Sequence, residues 1–430
     1  MSTHEIITGI DIGTSKIATL IAKVSFEERV PRIMGFTSVP SRGVKKGQII
    51  DINKVTEAVE ESVEKAERMA GCKIQGAYVS VGGPHITSLN SHGVVAVAQP
   101  DVEISPDDIA RVVEAAKAIS LSSTREIIEV IAREYIVDGQ EGIKNPTGMT
   151  GVRLEVDTHI ITAGVTNLRN IERSLSDLGI ERSSYVFSGL ASSLSTLSDT
   201  EKELGVVTVD IGGGKTDVCM YVDGALSYSS SIPMGARHIT NDIAVGLRVS
   251  LDSAEKIKLF LLEKIHKKHE GHHSLLKPLR KDDIDIAELR LVEGLSTVSF
   301  KTVSDGIIKP RLDEIFEKVF EEIEKSGFFT MVPSGLVITG GGAQTIGVVE
   351  VAKKVIGLSA RIGVPQGVTG LVDEVMYPPF AAVVGLILYG NEKRGSEEKM
   401  HFKDFGSIFR NFSVKGSFKK VTDLFKSFLP

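Results

Sequence analysis

Apolar and polar positions along this chain of 430 residues repeat one arrangement twice. Residues 6–22 read IITGIDIGTSKIATLIA, and residues 206–223 read VVTVDIGGGKTDVCMYVD. Each has two β-branched-rich runs around a short polar core. The pattern predicts a β-hairpin whose tight turn is built from Gly and small hydroxyl residues. Val152 to Ile161 alternates like a strand. Residues 106–118 predict a helix, with Ser105 as cap before Pro106 and Ile109, Val112, Val113 and Ala116 as its apolar positions. A short apolar strand, Leu336 to Ile338, runs into Gly340, Gly341 and Gly342, and a helix is expected from about Thr345. Residues 391–400 (NEKRGSEEKM) have no apolar period and predict a linker. Beyond it, GSFKKVTDLFKSFLP places Phe418, Val421, Leu424, Phe425, Phe428 and Leu429 on one helical face, with Ser417 as cap. Lys419, Lys420 and Lys426 lie beside or opposite that face. The longest apolar stretches, such as Phe380 to Leu388, fall short of the about 20 residues that cross a bilayer.

Composition changes this picture in one place. The net charge of −6 argues against nucleic-acid binding, which calls for a basic face. Residues 401–430 are nevertheless basic, and they hold seven of the 17 phenylalanines. A basic, aromatic, terminal helix behind a linker fits the surface of an anionic membrane. Each lysine near such a leaflet contributes roughly 1 kcal/mol, so one short anchor binds reversibly and gains from avidity in a polymer. Phe402, Phe405, Ile408, Phe409 and Phe412 form a weaker period, broken at Gly406. The two cysteines, Cys72 and Cys219, are far apart and exclude a disulfide scaffold. Met1 to Glu5 is polar, and no signal peptide is expected. His266, His269, His272 and His273 are three or so residues apart, but lysines flank them and Gly271 interrupts them, which predicts a charged loop.

The repeated hairpins carry chemistry. Their cores are Asp11, Ile12, Gly13, Thr14, Ser15, Lys16 and Asp210, Ile211, Gly212, Gly213, Gly214, Lys215. Glycine lets the backbone approach an anion, and successive N–H groups can bind phosphate oxygens. Thr14, Ser15 and Thr216 offer hydroxyl donors, and Lys16 offers positive charge. Asp11 and Asp210 each end an apolar strand, where an unpaired carboxylate is costly. Facing each other across a cleft, they would hold the waters of a Mg²⁺ ion. The strand–GGG–helix element lets a flat base or a phosphate lie against backbone. P-loop and Rossmann fingerprints are absent from the chain.

Paired D-x-G hairpins with a downstream strand–Gly–Gly–helix element resemble the actin / Hsp70 / sugar-kinase ATPase superfamily. Within it, the order of segments is similar to the FtsA family of bacterial cell-division proteins. The matching stretches are GIDIGTSKIATLIA, FSGLASSLSTLSDTEKELGVVTVDIGGGKTDV, SIPMGARHITNDIA, SAEKIK, IIKPRLDEIFEKV, LVITGGGAQTIGV, RIGVPQGVTGL and YPPFAAVVGLILYG. The resemblance implies an α/β, actin-like ATPase fold of two lobes around a nucleotide cleft, with an FtsA-type extra subdomain and a C-terminal amphipathic helix. By position, residues 1–84 with 163–193 and 358–390 would form the core of the first lobe, and 85–162 the extra subdomain. Residues 194–235 with 306–357 would form the core of the second lobe and 236–305 its outer subdomain. Residues 391–415 would be linker, and 416–430 the membrane-targeting helix.

The same resemblance implies ATP and Mg²⁺ as cofactors, with Glu255 and Lys258 beside the adenosine. It implies a protein that polymerises, and that tethers FtsZ filaments to the cytoplasmic face of the cell membrane at the division site. Such a protein helps assemble the septal ring and recruits later division proteins. The acidic C-terminal peptide of FtsZ would meet the outer subdomain of the second lobe. Lys277, Arg280, Lys281, Arg290, Lys301 and Arg311 are the basic residues in range, with Lys301 and Arg311 the first candidates. The rival reading is a soluble small-molecule kinase of the same superfamily. Residues 185–197, where a catalytic acid or amide would stand, contain no Asp, Glu, Gln or His. Ser188 is the nearest polar residue, and a neutral hydroxyl is a poor base. Slow hydrolysis at most is expected.

Overall fold

The computed structural model describes residues 4–25, 30–97, 103–269, 282–371 and 373–394. It opens on an antiparallel meander of β1 (His4–Ile12), β2 (Lys16–Ser25) and β3 (Arg32–Pro40). Nearly every residue in the middle of β1 and β2 is buried, as expected of strands covered on both faces. A small ribbon of β4 (Val44–Lys45) and β5 (Gln48–Ile49) leads to α1 (Ile52–Ala70). Asp51 caps α1 by accepting from the Lys54 N–H, and Gly71 ends it in the left-handed conformation. β6 (Gly76–Val81) then pairs parallel to β1.

An inserted subdomain follows, made of β7 (Thr87–Ala96), α2 (Pro106–Lys117), β8 (Arg125–Val137), β9 (Gln140–Ile143) and β10 (Arg153–Gly164). Its sheet runs β7-β10-β8-β9, and α2 closes a core of Val97, Ile104, Val112, Leu154 and Val156. Ser105 caps α2 through a reciprocal capping box with Asp108. α3 (Val165–Ser176) returns the chain to β11 (Glu181–Phe187), which lies parallel to β6.

α4 (Ser188–Thr196) and α5 (Asp199–Leu204) cross to a second meander, β12 (Val206–Ile211), β13 (Thr216–Val222) and β14 (Ala225–Ile232). α6 (Ala236–Leu247) and α7 (Leu251–His269) come next, then a ribbon of β15 (Asp283–Asp285) and β16 (Thr297–Ser299). α8 (Phe300–Val303) runs through a π-helical turn, Ser304–Ile308, into α9 (Lys309–Ser326). β17 (Leu336–Thr339), α10 (Val348–Ile356), β18 (Ala360–Ile362) and β19 (Thr369–Gly370) follow. The helix expected from Thr345 begins at Val348 instead, because Gly341–Gln344 forms a 3-10 turn and Gly347 holds φ at +74°.

The two main sheets read β11-β6-β1-β2-β3-β19 and β14-β13-β12-β17-β18. Apart from β19, they follow one path: a three-strand meander, then two parallel strands beside its first strand. The repeat seen in two hairpins is a repeat of whole lobes. In the second, Val207, Val209, Val218 and Met220 pack against Ile315, Phe316, Val319 and Ile323 of α9. A helix beginning at residue 381 packs against α4 so closely that a Cβ on Gly385 would lie 1.7 Å from the Ala191 carbonyl oxygen.

Met1–Leu388 form one compact unit and Tyr389–Pro430 another. Of the second, residues 389–394 are helical. The expected membrane face, Phe418 to Leu429 with Lys419, Lys420 and Lys426, lies outside the described residues, as do His272, His273 and Lys277 to Lys281, whereas His266 and His269, expected in a loop, belong to the last turns of α7. Among the described residues, no helix is long and apolar enough to cross a membrane.

The inserted subdomain also meets the second lobe along β14. Ser88 Oγ donates to the Ser229 carbonyl at 2.6 Å, and Asn90 Nδ2 to the Ser227 carbonyl at 3.2 Å. His159 bridges Asn90 Oδ1 at 2.7 Å and Ser229 Oγ at 3.0 Å. Burial, aided by the charge of Arg133, holds the His159 ring down at about 3. As pH falls below 6.5, the unfolded chain takes up a proton that folded His159 refuses until about 3, so stability is lost across that window. The slope from one such group reaches about 1.4 kcal/mol per pH unit. Thermal melts from pH 7 to pH 5 should therefore fall less steeply in His159→Gln than in the native sequence. Equal slopes would show that His159 is not held neutral.

Candidate functional site

Both hairpins close with the same bond. The Gly13 N–H donates to the Lys16 carbonyl at 3.0 Å, and the Gly212 N–H to the Lys215 carbonyl at 2.9 Å. The turns, one from each lobe, meet face to face. A Cβ added to Gly213 would sit 2.0 Å from Ser15 Oγ, so a larger residue there would force the Ser15 hydroxyl to turn away.

They open into a cavity of about 520 Å³. Asp11, Gly13, Thr14, Ser15 and Lys16 line it from the first lobe, and Asp210, Gly212, Gly213 and Lys215 from the second. Glu255 and Lys258 of α7 and Gly340 and Gly341 after β17 complete the set brought together. Three of the expected residues are not on its wall. Gly214 packs against Thr14, and Gly342 against Ile211. Thr216 is fully buried, and its hydroxyl donates to the Met234 carbonyl at 2.8 Å. Side chains alternate along β13, so Thr216 turns away from the side taken by Asp217.

The two aspartates are held in similar ways. Asp11 Oδ1 accepts from Ser80 Oγ at 2.6 Å, and Asp210 Oδ2 accepts from Ser192 Oγ. Burial pushes the Asp210 carboxyl up to about 6, against the pull of Lys215. Burial lowers Lys16, while Asp11 and Asp210 act in the opposite sense. Its ammonium donates to the Pro379 carbonyl and lies 4.7 Å from the centre of the Phe380 ring. Lys215 is also buried, yet the carboxylates of Asp217 and Asp210 outweigh that burial and leave it raised.

At the other end, Lys258 Nζ lies 2.7 Å from Glu255 Oε2 and 3.0 Å from Thr240 Oγ1. Lys258 is only 3% exposed, whereas the Glu255 side chain is half-exposed, so the pair stands at the edge of the cavity with its cation buried. Leu251 and Leu259, both exposed, add an apolar patch to this end of the cavity. Thr240, Arg237, Asp252 and Gln344 also line it. Their roles were not legible beforehand, because each joins the wall only through the packing of α6, α7 and the turn after β17. Ser80, Ser192 and Asp217 were not legible either, because β6, α4 and β13 bring them to Asp11, Asp210 and Ser188 only through tertiary packing.

Lys301 and Arg311 lie off the cavity wall. Lys301 is exposed at the start of α8. Arg311 is already engaged: its Nε and Nη2 reach the Asp242 carboxylate at 2.6 and 3.1 Å, and its Nη1 reaches Glu314. Those carboxylates hold the guanidinium above its ordinary range, with burial opposing.

Residues 83–162 match the family described as the SHS2 domain inserted in FtsA, and residues 207–385 match cell division protein FtsA. The cell division protein FtsA of Pseudomonas aeruginosa is 37% identical over 396 residues, covering 92% of each chain. That of Escherichia coli K12 is 34% identical over 398 residues, covering 90% of this chain and 91% of the other. Among solved structures, a chain of the PilM–PilN type IV pilus biogenesis complex superposes with a TM-score of 0.61 at 14% identity, over 90% of this chain and 98% of that one. MreB 5 of Spiroplasma citri bound to AMPPNP gives 0.51 at 13%, over 92% and 98%. These structures share the actin-like ATPase fold described above. Full-length relatives at this identity, together with both matched segments, place the chain in the FtsA family of cell division proteins.

Proposed function

We propose that this protein is a nucleotide-dependent, actin-like scaffold of cell division that binds Mg-ATP between its lobes. In this reading it polymerises and tethers FtsZ filaments to the cytoplasmic membrane, helping assemble the septal ring and recruit later division proteins. The observation that carries the reading is the pair of D-I-G turns entering one cavity from opposite lobes.

The residues present fit the ligand. Gly13, Gly212 and Gly213 give backbone without side-chain bulk where phosphates would lie. Asp11 and Asp210 would hold Mg²⁺ through water, and Lys16 and Lys215 stand nearby. The bound ion would neutralise phosphate charge. Leu251 and Leu259 would flank the base, with Glu255 and Lys258 at the ribose. The solved MreB 5 carries AMPPNP on the same fold, which supports this assignment. α4 carries no acid or amide of its own at the cavity, which favours conformational use of the nucleotide over rapid turnover. For an acidic FtsZ peptide, exposed Lys301 is the better first contact, since Asp242 and Glu314 already hold Arg311.

Co-sedimentation with anionic liposomes, Mg-ATP and FtsZ tests the whole reading. The full chain should pellet and carry FtsZ with it, whereas a chain ending at Lys415 should leave both in solution. If the two chains partition alike, the tether is wrong and a soluble enzyme becomes the better reading.

A further inference from the structure

One group of polar side chains at the cavity wall offers more than a place for a nucleotide: Ser188 and Lys215 on the wall, with Asp217 buried behind them. Ser188, the first residue of α4, donates to Asp217 Oδ2 at 2.7 Å and accepts from Lys215 Nζ at 2.7 Å. Lys215 also pairs directly with Asp217. The other oxygen of that carboxylate accepts from Ser231 Oγ at 2.6 Å, which fixes its orientation. Asp217 is fully buried, but Ser188 and Lys215 both form part of the cavity wall. A buried carboxylate is costly to keep, and an apolar residue would pack there without that penalty.

The arrangement has the parts that phosphoryl transfer to a hydroxyl needs. A hydroxyl bonded to a carboxylate is a nucleophile with its proton acceptor in place. An ammonium at the same oxygen stabilises charge on the transferred group. α4 contains no such acceptor; β13 supplies it from 29 residues away.

We propose that Ser188 is a phosphoacceptor, taking the terminal phosphoryl group of a nucleoside triphosphate bound in the cavity, with Asp217 receiving its proton. The inference rests on the cavity being a nucleotide site. Ser188 Oγ forms a bond to the terminal phosphorus as the bond from that phosphorus to its bridging oxygen breaks. The electron pair leaves with the nucleoside diphosphate. Asp217 is then neutral beside the new phosphoester, and Lys215 faces the phosphate charge. Each chain can react only once, which marks its state rather than sustaining turnover.

The full chain, incubated with Mg²⁺ and ATP labelled in the γ position, should accumulate acid-stable phosphoserine that mass spectrometry places at residue 188. Ser188→Ala should lose this label and Ser188→Thr should keep it as phosphothreonine. Asp217→Asn should slow labelling by about 100-fold or more. Ser188→Cys gives a readout independent of transfer and of Asp217: its thiol, beside Lys215, should react with iodoacetamide and be protected by ADP. A thiol that stays inert would mean that position 188 does not face the ligand, and the proposal falls. ATP binding by a fluorescent analogue, measured alongside, separates the two readings. Binding without phosphoserine at position 188, including release of free phosphate alone, overturns this proposal and spares the nucleotide site. No binding overturns both.

Discussion

Asp210→Ala should weaken Mg²⁺-dependent ATP binding by about 10- to 100-fold, the range typical of groups that hold a metal through its outer shell. Three features make Asp210 the sensitive position. It sits at the end of β12 where the second turn begins, and it lines the cavity. Ser192 fixes one carboxylate oxygen. The backbone at Gly340 closes on the other, so that a Cβ there would lie 2.1 Å from Asp210 Oδ1. The carboxylate is thus confined at both oxygens. Titration with a fluorescent ATP analogue, with and without Mg²⁺, checks this. The variant should lose most of the Mg²⁺ dependence along with the affinity. An Asp210→Ala protein that binds as tightly as the native one, and still responds to Mg²⁺, would remove the ion from this site.

Phe316→Ala should lower stability by about 3–5 kcal/mol, the usual range for emptying a fully buried aromatic position. Phe316 is 0% exposed on α9, within the core under β12 and β13. Native domains have only about 5–15 kcal/mol in hand, so the loss is a large share of the whole. Denaturant unfolding followed by circular dichroism measures it. Because the second turn sits on the same two strands, nucleotide binding should weaken as well, and should recover partly at lower temperature. A loss below about 1 kcal/mol would mean that the lobe repacks around the gap.

The scaffold reading and the phosphoacceptor proposal make different demands on the cleft. The first needs only a ligand that joins the lobes. The second needs a hydroxyl and its acceptor at the phosphate end, and Ser188 with Asp217 meets that need. The inserted subdomain stands close to this network: the Gly83 N–H, at its entrance, donates to Ser231 Oγ at 3.1 Å, and Ser231 in turn holds Asp217.

Much was legible in the residues themselves, because the information was local. The alternation and the glycine turns at Asp11–Lys16 and Asp210–Lys215 specify hairpins within a few residues of themselves, and repetition of the pattern revealed two lobes. Ser105 and Pro106 marked the start of α2 in the same way, through backbone groups that a helix end must satisfy. Tertiary structure alone decided the pairings across long separations. Thr216 faces Met234 and not the cavity, Arg311 is taken by Asp242, and Asp217 meets Ser188. Local pattern sets which residues form a strand or a helix. Which face of β13 meets which end of α4 depends on sheet register and on the packing of helix against sheet, and those are settled only when distant segments bury their apolar faces together.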